Sequence, residues 1–442
     1  SKTTDCLNKI INSSKINKRK SICFVTGVPG AGKTLAGLNV ANERMKSHEN
    51  EHAVFLSGNG PLVTVLREAL TRDNVKMAKK QNIKITKKQA AIKSNAFIQN
   101  IHHFRDDNLN SETAPIEKVV VFDEAQRAWT KKQTASFMQR KRGVSDFSMS
   151  EPEFLISVMN RHQDWCVLIC LIGGGQEINT GEAGLEEWMT SLKNHYSNWD
   201  IYCSDAVVSD KNYIQNSELN SWILDSCKQE SDLHLSVSIR SFRSEKLSDF
   251  TQALLEININ EAINIYSEIK NKYPLFITRD FNTAKKWLLD KARGSERSGI
   301  IASSGGRRLM ANGIDVKSGV SIEDWFLNGK EDVRSSMFLE SVATEFDIQG
   351  LEIDWTCVAW DGNLYFDGTK WRYQNFKGTK WQSINNSSNK KYLLNSYRVL
   401  LTRARQGMVI YVPFGSAEDH TRPGKYYDQT FEYFKSIGIK EI

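Results

Sequence analysis

The sequence has no apolar run long enough to cross a bilayer. Its longest runs, such as CVLICLI at Cys166 to Ile172, stop well short of the ~20 residues that a spanning helix needs. The first residues, SKTTDCLNKI, hold no signal-peptide core, so the expectation is a cytoplasmic protein with no membrane partner. No C-x-x-C pair occurs among the seven cysteines. That excludes a zinc ribbon, and the odd count argues against a disulfide framework, leaving reduced and mostly buried thiols. The chain opens on Ser1 rather than Met, which is compatible with further domains upstream.

What is present fits a globular protein of two or three domains: 442 residues, 40% hydrophobic and 25% charged. A net charge of +7 is modest, but it is unevenly spread. Lys76, Lys79, Lys80, Lys84, Lys87, Lys88 and Lys93 crowd one segment, and Lys131, Lys132, Arg140, Lys141 and Arg142 another. Such clusters are either solvated loops or surfaces for a phosphate backbone, and composition does not choose between them.

Short apolar runs alternate with helix-period segments. The runs are SICFVT (21–26), HAVFLS (52–57), KVVVF (118–122) and CVLICLI (166–172), then LHLSV (233–237), PLFITR (274–279), GIIASS (299–304), WTCVAW (355–360) and GMVIYVP (407–413). Leu35, Leu38, Ala41 and Met45 give the segment after the first run a helical period. The rhythm predicts an α/β fold of two domains with parallel sheets, 1–228 and 229–442, divided where 210–232 turns polar. Residues 362–391 differ, with GTKW twice among alternating aromatics. They read as an inserted β-hairpin, either packed on its domain or stacking bases, followed by a loose loop at SINNSSNKK.

GVPGAGKT, Gly27 to Thr34, matches G-x-x-x-x-G-K-[ST] between an apolar run and a helical segment. In such a loop Gly27, Gly30, Ala31 and Gly32 offer backbone to phosphate oxygens. Lys33 reaches the β and γ phosphates of ATP, and Thr34 ligates Mg²⁺. KVVVFDEAQ then ends a strand in two carboxylates, Asp123 for the Mg²⁺ shell and Glu124 to polarise a water.

Taken in order, GVPGAGKT, DEAQ, GGGQEI, SIRS, TEFDIQGLEID and LLTRAR resemble motifs I to VI of superfamily 1 helicases. FLSGNGPLVTVLREAL, FIQNIHHFRDD and GQEINTGEAG narrow the resemblance to the Schlafen group 3-like DNA/RNA helicase family of P-loop NTPases. The resemblance implies two tandem RecA-like domains. It also implies that Gln176 contacts the γ-phosphate, that Arg240 and Arg403 approach the triphosphate from the second domain, and that Gly350 and Glu352 lie near the nucleotide. Thr344 and Gln349 would face the nucleic acid. Ser57 and Asn59, in the loop 57–64, and His102, His103 and Phe104 would contact the strand. The adjacent histidines have packing or metal ligation as their alternatives. Two departures stand out: residues 1–20 lack the glutamine that reads adenine in many members, and no aromatic follows Gln176.

The leading expectation is therefore an ATP- and Mg²⁺-dependent helicase or translocase on single-stranded DNA or RNA. The runner-up is a nucleotide-gated clamp controlling an attached or partner effector in antiviral defence or repair. A P-loop kinase would leave Arg240 and 349–352 unexplained. If LLTRAR opens a helix, Arg405 points about 200° away from Arg403, which splits the pair.

Overall fold

The computed structural model describes residues 2–27, 30–47, 51–109, 111–143, 147–173, 184–209, 213–214, 216–235 and 239–442. Two compact units divide the chain: 1–63 with 70–241, and 64–69 with 242–442.

The first unit is built on a parallel sheet. Its strands are β1 (Lys20–Gly27), β2 (Ala53–Ser57), β3 (Ile98–Asn100), β4 (Val119–Asp123), β5 (Cys166–Leu171), β6 (Asp200–Cys203), β7 (Cys227–Gln229) and the short β8 (His234–Leu235). They run in the order β3-β2-β4-β5-β1-β6-β7, with β8 against the end of β1. β2, β4 and β5 are buried at every residue, which is why they read as unbroken apolar runs rather than as alternating ones. The run at 233–237, expected in the second domain, instead pairs with β1 of the first: His234 and Leu235 lie against Thr26 and Gly27. The expected boundary at 228/229 thus falls inside β7, and β8 follows it; both belong to the first sheet.

Helices α1 (Lys2–Ile16), α2 (Lys33–Ser47), α3 (Gly60–Lys80), α4 (Lys87–Phe97) and α5 (Ile101–Leu109) precede β4. The helix after the glycine-rich loop forms as expected, but its buried face differs. Leu35 is 61% exposed and Met45 36%, while Ala36, Val40, Ala41 and Arg44 are buried. Gly37 explains the shift: a Cβ there would sit 2.8 Å from Leu171 and Val121, so α2 lies on the sheet along its smallest residues.

The second unit repeats the plan with β9 (Leu275–Thr278), β10 (Ser298–Ala302), β11 (Val342–Thr344) and β12 (Ile353–Ala359). A separate antiparallel sheet of β13 (Leu364–Phe366), β14 (Trp371–Lys377) and β15 (Lys380–Ser383) follows, then β16 (Ala404–Tyr411) and β17 (Lys440–Glu441). The parallel order is β11-β10-β12-β16-β9-β17. The expected hairpin is a three-stranded meander, and the GTKW repeat marks its two turns. Gly368 and Gly378 take φ of 99° and 59°, values that favour glycine, and each is followed by a strand carrying the tryptophan. Trp371 is buried among Trp360, Phe366, Tyr433 and Phe434, and the Trp381 indole donates to the Thr421 carbonyl oxygen at 2.7 Å. These aromatics pack on their own unit. SINNSSNKK is no loose loop: Asn386 caps the helix Ser387–Leu401, accepting from the Asn389 amide at 3.2 Å.

All seven cysteines are free and buried. Among the described residues no helix is long and apolar enough to cross a membrane.

Candidate functional site: the carboxyl ends of the parallel strands

β1 runs directly into the glycine-rich loop. Gly27 has φ 149°, and a Cβ there would meet the Leu235 carbonyl oxygen at 2.9 Å. Its need for glycine therefore comes from the close approach of β8. Val28 and Pro29 lie outside the described residues. Gly30 and Gly32 take φ of 76° and 93°, and open space surrounds the Cβ position of Gly32, so there the need is conformational. Ala31 lies between them on a half-exposed turn. The Lys33 ammonium, 9% exposed, donates to the Gly27 carbonyl oxygen at 2.6 Å. Burial lowers its pKa, and the nearby Glu124 and Asp123 oppose that shift.

Thr34, on the first turn of α2, donates its hydroxyl to Asp123 Oδ1 at 3.0 Å. Asp123 ends β4 and is 2% exposed, and among the described residues its Oδ2 has no hydrogen-bond partner. Burial, then the charge of Glu124, pushes its pKa up to about 7, against the lowering effects of Thr34, Lys33 and the Glu124 amide. A buried carboxyl with an orphan oxygen beside a hydroxyl is the donor set that a divalent cation completes.

Glu124 stands just past β4 with φ 53°, a left-handed conformation that turns it out of the strand direction. Its Oε2 accepts from the Gln126 amide at 2.6 Å and lies 3.3 Å from Arg127 Nε. Gln126, 5% exposed, also accepts from the Gly173 amide at 2.9 Å, just past β5. A Cβ on Gly173 would come within 2.7 Å of the Gln126 amide nitrogen. Gln126 thus ties the carboxylate after β4 to the chain after β5. The sequence reading quoted DEAQ without assigning its glutamine a role. Gln176 itself lies outside the described residues, and so does the side chain of Arg240, on the helix Ile239–Leu255.

The residues expected to face a strand in this unit divide sharply. The Ser57 side chain is fully buried and accepts from the Asn59 amide at 3.2 Å. Asn59 caps α3, accepting from the Leu62 amide. Phe104 is core, at 2% exposure, whereas His103 is exposed. His102 is half-buried against Trp129 and Phe137, with ring centroids 5.1 and 6.3 Å away. Burial, then the charge of Arg105, lowers its pKa. Next to it the fully buried Arg105 guanidinium lies over the rings of Trp129 and Phe137, at 5.2 and 4.5 Å, and pairs with Glu151 at 3.4 Å. No sequence signal separated this buried arginine from a surface one.

In the second unit the segments 344–354 and 403–405 come together. Arg403 follows the helix Ser387–Leu401 and donates to the carbonyl oxygens of Val399 and Leu351 at 3.2 and 3.4 Å. Arg405 is on β16, not on a helix, because the chain turns extended at Ala404. The expected 200° split therefore does not apply. Arg405 pairs with Glu352 at 3.4 Å and with Asp354 at 4.0 Å, so the Glu352 carboxylate already has a cation. Thr344 is 8% exposed and donates both its amide and its hydroxyl to Asp347, at 2.8 and 2.7 Å. Gln349 and Gly350 are exposed, Gly350 with φ 73°. Between them and Thr344 the sequence reading passed over Phe346, which is 66% exposed although Ile348 in the same loop is buried.

Solved structures matching nearly the whole chain include one of DNA unwinding at forked dsDNA by two coordinating Pif1 helicases, at 9% identity and TM-score 0.31, covering 98% of this chain and 97% of that one. The Pif1 helicase from Candida albicans matches at 10% and 0.30, covering 99% and 98%. The DUF1998 helicase MrfA bound to DNA and AMPPNP matches at 13% and 0.30, covering 93% of this chain and 50% of that one. No curated protein matches. Residues 20–413 match the family described as Schlafen group 3, DNA/RNA helicase domain, and the chain belongs to that family.

Proposed function

We propose that the protein hydrolyses ATP with Mg²⁺ and uses the cycle to move along single-stranded nucleic acid. The observation that carries this reading is the orphan Oδ2 of buried Asp123 beside Thr34, at the mouth of a phosphate loop and next to Glu124. Thr34 and Asp123 would hold the ion. Among the described residues no three His, Cys, Asp or Glu side chains cluster as a metal site, in keeping with an ion that takes most of its ligands from water and phosphate. Bound Mg²⁺ supplies charge neutralisation on the triphosphate.

Lys33 leaves the Gly27 carbonyl for the β and γ phosphates, while Gly30, Ala31 and Gly32 offer backbone amides. Glu124 takes a proton from water as the water oxygen bonds to the γ-phosphorus; the bond to the bridging oxygen breaks, and ADP leaves with that electron pair. Gln126 keeps the carboxylate oriented. Gln176, Arg240 and Arg403, with the backbone at Gly350, are assigned to the transferring phosphoryl group, and Glu352 to holding Arg405. Along the strand, Gln349, His103 and the backbone at Asn59 are the available polar contacts, and Phe346 offers a face for a base. Buried Ser57, Thr344 and Phe104 shape these loops, and His102 lies at their edge.

Hydrolysis measured with and without oligo-dT and oligo-U tests the reading. At least tenfold stimulation by one of them, lost in Arg403→Ala, is expected; equal rates with and without a strand would overturn it. ATP-dependent binding with no strand displacement would instead identify a nucleotide-gated clamp.

A further inference from the structure

The helices α3 and α4 carry a surface that the hydrolysis machinery does not use. About one residue in eight or nine of the chain is an acid, yet none occurs from Asn74 to Arg105. Seven lysines between Lys76 and Lys93 are all exposed. Among the described residues Lys76, Lys79, Lys80, Lys84, Lys88 and Lys93 have no ion-pair partner, so the positive charge is uncompensated.

Its placement suits the last turn of α3, where Lys79 and Lys80 meet the end of the dipole that favours cations, but opposes the stability of α4. α4 starts with Lys87 and Lys88 and has no acid in its first turn, although a helix N-terminus favours negative charge. Lys76 and Lys80 sit one turn apart on α3, where like charges repel. The elbow is nonetheless well built. Ile83 donates its amide to the Ala78 carbonyl oxygen at 2.8 Å, and Thr86 and Gln89 form a reciprocal capping box. Ala90, Ser94 and Phe97 bury one face of α4, which packs on β2 and β3. An anchored element that retains an uncompensated run of lysines, two of them against the dipole at the start of α4, marks a binding surface rather than a solvated loop.

Composition selects the occupant. From Asn74 to Ala96 there is no aromatic residue, so the surface has no platform for stacking the bases of a single strand. Beside the exposed Met77, Ile83 and Ile92 it offers mainly charge for phosphates, the part of a duplex that is presented outward whatever its sequence. Resting on the nucleic-acid reading above, we infer that the α3–α4 elbow is a sequence-independent docking surface for duplex nucleic acid, separate from the single-strand track.

The test is anisotropy of fluorescein-labelled 20-base-pair DNA and RNA duplexes, and of a 20-nucleotide single strand, against the full chain and its K76Q/K80Q/K84Q/K88Q variant over a salt series. Each lysine that touches a DNA phosphate should take about 0.9 off the slope of log affinity against log salt. We expect at least one duplex to bind about tenfold more weakly to the variant with a shallower slope, while single-strand affinity and strand-stimulated hydrolysis stay within about twofold. An unchanged melting temperature shows that the variant is folded. Equal duplex binding by both proteins, or a parallel loss on single strand and duplex, overturns the inference. A wild-type protein that binds single strands but no duplex overturns it too, and leaves the translocase reading standing. Wild type that binds duplex through these lysines without strand-stimulated hydrolysis sinks that reading and leaves the surface.

Discussion

The carboxyl ends of the two parallel sheets carry similar polar residues in opposite conditions. At the end of β1 and β4, buried Asp123 has one oxygen without a hydrogen-bond partner among the described residues, and the Lys33 ammonium donates to a carbonyl of its own loop. At the end of β10 and β12, buried Asp361 accepts from the Gly362 and Arg308 amides at 2.7 and 2.9 Å and from the Tyr427 hydroxyl at 2.9 Å. Around it Ser304 donates its amide and its hydroxyl to Glu345, both at 2.8 Å, and Asn363 bridges Ser303 and Tyr397 at 3.0 and 2.6 Å. Burial raises the pKa of both aspartates. The difference is that one end has its hydrogen bonds closed by the protein, whereas the other keeps a carboxylate oxygen open among the described residues. Polar residues at a strand end thus mark a ligand site only where their hydrogen-bond capacity is left open.

The contrast predicts opposite consequences of mutation. The largest effect is expected at the open end: Lys33→Ala and Glu124→Gln should each lower turnover on the order of 10²-fold or more, with the melting temperature almost unchanged. Steady-state kinetics alongside calorimetry checks this, and a collapse of stability in either variant would erase the contrast. Gln126→Ala is intermediate. Turnover should fall about ten- to a hundredfold as Glu124 loses its anchor, with KM for ATP little changed. A rise in KM with turnover intact would give Gln126 a binding role instead.

The smallest effect belongs to the closed end, where Tyr427→Phe should cost about 1–3 kcal/mol in denaturant unfolding while leaving turnover alone. The same variant carries a pH signature. Because the folded pKa of Asp361 is raised above the ordinary 3.8, the fold favours the protonated carboxyl. Its contribution is full below that value and is lost as pH rises through the folded pKa. The Tyr427 hydroxyl lowers that pKa, so removing it should push the point where the decline levels off to higher pH. A shift to lower pH would contradict the assigned hydrogen bond.

Much of the fold was legible because a parallel strand buried on both faces must be apolar throughout, as β2, β4 and β5 are. The phosphate loop was legible because its glycines, lysine and threonine are local in sequence. Failures came where a partner distant in sequence decides. His234 and Leu235 look like the start of a second domain until they pair with β1. Leu35 and Met45 have the helical period, but contact with Gly37 turns them outward. Phe104 and Ser57 lie in strand-facing loops by pattern, yet both are buried. Arg403 and Arg405 read equally well on a helix, and only the extended pairing of β16 with β12 put Arg405 against Glu352.

By itself, then, the sequence determined that two parallel α/β sheets form, that a phosphate loop follows the first strand, and that an acidic pair ends β4. Each of these rests on residues close in sequence or on a periodicity that backbone geometry imposes. Tertiary structure decided which polar groups stay open. Asp123 and Asp361 both stand at the end of an apolar strand in sequence, and what separates them is the arrival of Tyr427 and Arg308 beside one, while Oδ2 of the other has no hydrogen-bond partner among the described residues.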